Sequence, residues 1–523
     1  MQICRYATLD VPTGDKFMTY AITYSRAAVG IQAPLITVEA DTTSGLSQII
    51  IVGLPETAVK ESKDRVKTAI INAGYSLPNK RLTVNLSPAD LPKSGGRCDL
   101  AVALCILVAA GNLPEGCLKD FEFLGELALN GETRFVSGIL PVTMQNMSTV
   151  RSLVVPTVNS SEAALVEPTA KVFAASSLQD VIAHLLGRES LALVKSLGTK
   201  VLPINTLELS DVRGQNLAKR ALKIAAGGGH NLLFIGPPGS GKTMLASRLG
   251  SLLPTMSIED AISTASVQSV SKYQFNTTTF GVRPFRTPHH TASAVALVGG
   301  GNPPRPEEVS LAHNGVLFLD ELPEYPRRVL EALREPIESG EIIISQAHHQ
   351  VCFPANFQLI AVMNPCPCGY YGDNTDRCDC TNDKILKYRS RVSGPLLDRI
   401  YLHLDVPALP PGRLSEPNTT NSFSDYKQAL ARVANAQSLM LNRFGKLNAA
   451  LTNKEIESHC RLTPNDLRLL DKAMLALGLS ARGYYKILKV ARTIADIEES
   501  TDIHTKHLTE ALGLRKLDRY QAV

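Results

Sequence analysis

Gly236-Pro237-Pro238-Gly239-Ser240-Gly241-Lys242-Thr243 fits the pattern G-x-x-x-x-G-K-[ST] without a mismatch, and the rest of the chain is read outward from it. The apolar run NLLFIG (231–236) leads in and the amphipathic run TMLASRLGSLL (243–253) leads out. The spacing therefore predicts a strand, a phosphate-binding turn and a helix. Glycines in such a turn let backbone N–H groups converge on phosphate oxygens, aided by the positive end of the following helix. Residues 236–243 are thus the expected ATP cradle, with Lys242 on the β- and γ-phosphates and the Thr243 hydroxyl on Mg²⁺.

Two further strands supply the remaining chemistry. GVLFLD (315–320) is an apolar run that ends in Asp320-Glu321, 78 residues after Lys242. Asp320 is expected to hold Mg²⁺ through water, and Glu321 to orient or polarise the attacking water. FQLIAVMN (357–364) ends in Asn364, a polar residue able to position water near the γ-phosphate; the alternative is an asparagine that caps a turn. Strands alternating with helices over about 205–410 predict a parallel α/β sheet.

These strands resemble those of AAA+ ATPases. DVRGQNLAKRALKIAAGGG (211–229) resembles the leading segment with which that class holds adenine. GPLLDRI (394–400) resembles its arginine-finger stretch and suggests Arg399, with Arg389 and Arg391 as nearby competitors. A finger presented to the neighbouring subunit's γ-phosphate is worth roughly 10³–10⁵ in rate and requires an oligomer. The alternative for Arg399 is an ion pair with Asp398 or a glutamate of its own chain. In LSARGYYKILKVARTIAD (479–496), Arg482 resembles the second arginine sensor of AAA+ lids; the alternative is a solvated arginine at a helix start.

The 523 residues exceed one core and predict two to four domains. Before the nucleotide segment, LITVEADTT (35–43), SQIIIVGL (47–54), RLTVNL (81–86), LVVP (153–156) and VFAA (172–175) read as strands, the first two joined by a Ser-Gly turn. PETAVKESKDRVKTAIINAG (55–74) reads as a helix stopped by a glycine, and DLAVALCILVAAG (99–111) as a buried helix. The pattern weakens over about 188–210, and the chain beyond 425 is mostly helical. No apolar run approaches the ~18 residues a membrane helix needs. The N-terminus shows no signal-peptide pattern, so a cytoplasmic location and no membrane partner are expected. A net charge of +5 permits nucleic-acid contact without requiring it.

The resemblance is closer than class level. IVGLPETAVKESKDRVKTAI, LSPADLPKSGGRCDLAVAL, PFRTPHHTASAVALVGGG, PPRPEEVSLAHNGVLFLDELPEY, NPCPCGYYGD and LSARGYYKILKVARTIAD are similar to the ComM/YifB family of magnesium-chelatase-like AAA+ proteins, over about residues 20–515. That resemblance implies an AAA+ core with a parallel sheet at 211–410 and a C-terminal helical lid of magnesium-chelatase type at 411–523. It implies an N-terminal Lon-protease-like, ribosomal-S5-domain-2-like α+β domain at 18–190, with a linker at 191–210. It also implies hexameric rings, and ATP-driven branch migration of single-stranded or branched DNA in natural transformation. Residues 1–17 match nothing in the pattern and are expected to be a disordered extension or to follow a mis-assigned start. Matching PKSGGRCD (92–99) to the serine loop of Lon-type proteases puts Arg97 where the serine would stand, with Ser94 offset by three. Matching GETRFVSGILPV (131–142) puts Leu140 where the lysine would stand. Without nucleophile and base, acyl transfer cannot proceed, so a binding or assembly module is expected.

Four of the ten cysteines lie within fifteen residues: Cys366, Cys368, Cys378 and Cys380. Four thiolates in one loop (366–380) suit tetrahedral Zn²⁺, although one-residue spacers are tighter than usual; free or redox-active thiols are the alternative. For DNA, Arg283 and Arg286 in GVRPFRTPHHTASAV (281–295) are the candidate contacts, and His289-His290 beside them a weaker metal candidate. EIIISQAHHQVCF (341–353) alternates as a hairpin turning near Ala347-His348, the kind of element related rings use as a pore loop. It has no lysine or arginine, so His348 and His349 would act by stacking on bases, or the hairpin packs between subunits. A motor that remodels a protein partner, as magnesium chelatases do, is the rival to a DNA motor.

Overall fold

The computed structural model describes residues 20–53, 56–91, 93, 95–166, 171–195, 208–272, 275–301, 304–345, 350–372, 377–408 and 422–515, with the main chain alone at 56–60 and 422–425. The chain divides into two compact units, residues 1–199 and 200–523. Residues 1–17, most of the expected linker, and His348 and His349 lie outside the described residues.

Period-two burial builds the first unit's sheet. In β2 (Leu35–Thr43) Ile36, Val38, Ala40 and Thr42 are buried, and in β4 (Arg81–Ser87) Leu82, Val84 and Leu86. This is the alternation of a sheet with one face on the core. With β1 (Tyr20–Arg26), β3 (Gln48–Val52), β5 (Phe121–Phe123), β8 (Ser152–Pro156), β9 (Val172–Ala175) and β10 (Ala192–Leu193) they form one sheet in the order β10-β9-β8-β5-β1-β2-β4-β3. A small separate ladder joins β6 (Glu126–Leu127) and β7 (Thr133–Arg134). The turn after β2 does not make a hairpin of β2 and β3: β4 lies between them, antiparallel to β2 and parallel to β3. The helix Glu56–Asn72 makes that parallel crossover, as parallel neighbours require. It stops as expected, with Tyr75 N donating to Ile70 O and Gly74 N to Ile71 O. The helix Asp99–Ala109 is buried along its whole length and packs on β1 and β2. β10 falls within the expected linker yet pairs with β9, so the sheet continues beyond 190.

The second unit holds the parallel sheet, ordered β12-β13-β16-β11-β17. Its strands are β11 (Leu232–Ile235), β12 (Phe285–Arg286), β13 (Val316–Leu319), β16 (Gln358–Met363) and β17 (Leu402–Asp405). All four pairings are parallel. β13, β16 and β11 are buried on both faces, which is why each reads as an unbroken apolar run. β14 (Glu341–Ser345) and β15 (Gln350–Pro354) form the expected antiparallel hairpin, with Ile342, Ile344, Val351 and Phe353 on its buried side. The helices Ser422–Phe444, Asn453–His459, Pro464–Leu477, Ala481–Ile497 and Thr505–Gly513 share one core with the sheet. Asp496, nearly inaccessible, joins them by accepting from Arg443, Arg492 and Asn448. No helix among the described residues is long and apolar enough to cross a membrane.

Candidate nucleotide site

The ends of β11, β13 and β16 meet at the carboxyl edge of the second sheet. β11 runs into the turn 236–241, and Gly241, at φ +85°, caps the helix Lys242–Ser247 in the left-handed region that glycine tolerates. Lys242 Nζ donates to the carbonyls of Gly236 and Pro237, 2.8 Å each, and to Asn364 Oδ1 at 3.3 Å. Burial lowers the Lys242 pKa, and Asp320 opposes that shift. Thr243 Oγ1 donates to Asp320 Oδ2 at 2.9 Å, so a hydroxyl and a carboxylate stand together as the donor set Mg²⁺ takes beside nucleotide phosphates. Gln215, itself left-handed at φ 51°, donates through Nε2 to Ser240 O and Pro407 O, tying the segment before the first helix to the turn.

Glu321 has φ 52°, uncommon for a non-glycine residue and a strain of the kind that gathers at working sites. Its N–H donates to Asp320 Oδ1 at 2.9 Å, while its half-exposed carboxylate lies 3.4 Å from His290 Nδ1. The sequence reading did not find this pairing. His290 and Glu321 are far apart in the chain, and only the pairing of β12 with β13 brings the residues after each to one edge. Tyr325 holds that segment in place, its hydroxyl donating to Pro288 O at 2.6 Å.

The arginines lie elsewhere. Arg399 pairs with Glu338 at 2.6 Å and donates to Pro395 O at 2.7 Å. Arg482, largely exposed at the start of Ala481–Ile497, lies 3.8 Å from Asp398, which also pairs with Lys486. Arg399 and Arg482 line one cleft of about 660 Å³ together with Asn231, Asn356 and Phe357. Those three residues precede β11 and β16, so the cleft opens on the amino edge of the sheet, opposite the subunit's own phosphate turn. Arg389 donates to Pro365 O, and Arg391 pairs with Glu324.

Arg283 and Arg286 each have partners within their own unit. Arg283 donates to Pro254 O and Asn314 O at 2.7 Å each, and Arg286 forms a two-bond pair with Glu308 at 2.6 and 2.7 Å. His289 hydrogen-bonds Thr291 and stacks near His290; neither belongs to a cluster of three or more metal-ligating side chains among the described residues. One such cluster is present: Cys366, Cys368, Cys378 and Cys380. In the first unit Arg97 and Leu140 are buried, and the Leu140 N–H donates to Glu162. Ser94 is outside the described residues.

Comparison with known proteins gives matches along most of the chain. Residues 208–414 match the family profile "Magnesium chelatase, subunit ChlI", residues 38–159 "Subunit ChlI of Mg-chelatase", and residues 425–515 "Magnesium chelatase, subunit ChlI C-terminal". The competence protein ComM of Haemophilus influenzae is 50% identical over 506 residues, 96% of this chain and 98% of that protein. The YifB protein of Salmonella typhimurium is 47% identical over 504 residues, 96% and 98% of the two chains. An archaeal Lon protease of Thermococcus kodakarensis is 38% identical over 64 residues, 12% of this chain and 10% of that one.

Proposed function

The chain belongs to the ComM/YifB family of magnesium-chelatase-like AAA+ ATPases, and from that premise we propose that it is an ATP-hydrolysing ring motor, hexameric, acting on single-stranded or branched DNA. One observation carries the ring. Lys242, Thr243, Asp320, Glu321 and Asn364 meet at one edge of the sheet, whereas Arg399 and Arg482 share a cleft at the other. An arginine that cannot serve its own turn can serve the next subunit's, so both are assigned to a neighbour's γ-phosphate. Lys242 and the turn amides would hold the phosphates, Thr243 and Asp320 would hold Mg²⁺, Glu321 would orient or polarise the attacking water, and Asn364 would position it near the γ-phosphate. Held there, Mg²⁺ would supply charge neutralisation to the nucleotide phosphates.

The DNA assignment is supported by the near-complete match to a protein named for competence, and it comprises branch migration during transformation or recombination. The magnesium chelatase matches support a second reading, a motor that remodels a protein partner. The N-terminal domain is assigned as Lon-like on the resemblance of its own segments, and Arg97 and Leu140 at the dyad positions assign it as a non-proteolytic module. The four-cysteine cluster supports one structural Zn²⁺.

The test is ATPase turnover without DNA and with single strands, duplex and a four-way junction, together with subunit mixing. Stimulation greatest on the junction is expected. Mixing inactive Arg399→Ala with inactive Lys242→Ala should restore turnover, since some interfaces then pair an intact turn with an intact finger. Co-assembled mixtures that stay dead would remove the finger assignment. A rate indifferent to every DNA would favour the protein-remodelling motor.

A further inference from the structure

Four sulfurs converge just beyond the carboxyl end of β16. Cys366 Sγ lies 3.3 Å from Cys368 Sγ and 3.8 Å from Cys378 Sγ, and Cys368 and Cys378 are 3.6 Å apart. With Cys380 included, all four fall within 4.8 Å of one another. A tetrahedral ion with Zn–S bonds of about 2.3 Å has sulfur–sulfur edges of about 3.8 Å, whereas a disulfide would need about 2.05 Å. The Tyr371 N–H donates to Cys366 Sγ at 3.3 Å, the outer bond that orients a thiolate ligand.

The same loop bears on the phosphate turn at two places. Asn364, two residues before Cys366, accepts from Lys242 Nζ. Gly369 closes the Cys-Pro-Cys-Gly turn at φ +87°, and a Cβ there would stand 2.7 Å from Pro238 Cδ and 2.8 Å from Pro238 Cγ. The cysteine turn is therefore seated against the second proline of the ATP cradle. Its flanks are tied down by Arg389, which donates to Pro365 O and lies 5.4 Å from the Tyr371 ring, and by Arg377, 4.4 Å from the Tyr370 ring.

We infer that the cysteine cluster is a zinc-held brace for the ATP site: the ion locks the turn 366–369 to Cys378 and Cys380, which keeps Gly369 against Pro238 and Asn364 on Lys242, so that zinc occupancy sets nucleotide affinity. This rests on the zinc reading of the cluster. Without the ion nothing ties Cys378 and Cys380 to the turn 366–369, and a turn so released no longer confines the proline it presses on. Hydrolysis then depends on a metal that touches neither nucleotide nor water.

Two variants of the full-length chain separate the brace from the ion. Cys378→Ser/Cys380→Ser removes two ligands that lie outside the turn 366–369 seated against Pro238. Gly369→Ala keeps all four ligands and places a methyl group against Pro238. Zinc per subunit is measured by elemental analysis after preparation without chelator, and affinity with a fluorescent ATP analogue. The wild type should hold about one zinc per subunit. The double serine variant should lose it and bind nucleotide at least about ten-fold more weakly. Gly369→Ala should keep its zinc and still lose affinity. A wild type without zinc overturns the zinc reading, and the inference with it. A zinc-free double variant that binds nucleotide as the wild type does leaves the zinc reading intact and overturns the brace. Should that variant not fold, Gly369→Ala decides: zinc retained with unchanged affinity overturns the brace.

Discussion

Replacing Arg283 by alanine should weaken the whole ATPase unit and not its response to DNA alone. The guanidinium is half-buried and donates two 2.7 Å bonds, to Pro254 O beyond the phosphate-turn helices and to Asn314 O just before β13. Hydrogen bonds from a charged group contribute about 1.5–3 kcal/mol each, and the truncation leaves both carbonyls short of a donor. A loss of about 3–5 kcal/mol follows, large against a typical stability of about 5–15 kcal/mol. At about 2–4 °C per kcal/mol, the melting transition should fall by at least about 6 °C. Basal turnover should fall with it, because Asn314 leads into the strand that carries Asp320 and Glu321. The assay pairs melting followed by circular dichroism with ATPase rates with and without DNA. A variant that melts as the wild type does, keeps its basal rate and loses only DNA stimulation would refute the reasoning and return Arg283 to the DNA surface.

Arg286→Ala, by contrast, breaks a pair whose side chains are 35% and 21% exposed, so a cost of about 1 kcal/mol or less is expected in the same melt. Glu321→Gln should still bind ATP through Lys242 and Thr243 but turn over roughly 10²–10⁴-fold more slowly; wild-type turnover would place the water elsewhere. In the first unit, Arg26→Ala leaves the fully buried Glu122 with only Arg151, at 3.7 Å, in place of its 2.6 Å partner, and denaturation should report a loss of about 3 kcal/mol or less. The second unit should be acid-labile. Burial lowers His230, His313 and His403 to about 3, 4 and 3, so the unfolded chain takes up protons the folded chain refuses. Stability present above about pH 6.5 is then lost as pH falls, by about 1.4 kcal/mol per unit for each histidine; a urea midpoint that stays flat from pH 7 to 5 would sink this.

Residues 236–243 are legible as a candidate phosphate cradle because such a cradle is local: backbone amides, one lysine and one hydroxyl within eight positions suffice. The strands β11, β13 and β16 were legible for a related reason, since burial on both faces writes an uninterrupted apolar run into the sequence. The two-residue β12 and the four-residue β17 carry no such run, and β10 sits where the pattern had already weakened. Their pairing is decided by neighbouring strands already in place.

The sequence by itself determined the family, and it presented the motif at 236–243, the adjacent Asp320-Glu321 and the grouping of four cysteines, each a matter of residues near one another in the chain. Tertiary structure alone decided which distant groups meet: His290 with Glu321, Gly369 with Pro238, and Arg399 with Arg482 on the edge away from their own cradle. It also decided the partners of Arg283 and Arg286, which are Pro254, Asn314 and Glu308. A side chain's type fixes what it can bond, but the direction it faces is set by strand order and packing. Those depend on contacts between residues far apart in sequence, which no local pattern records.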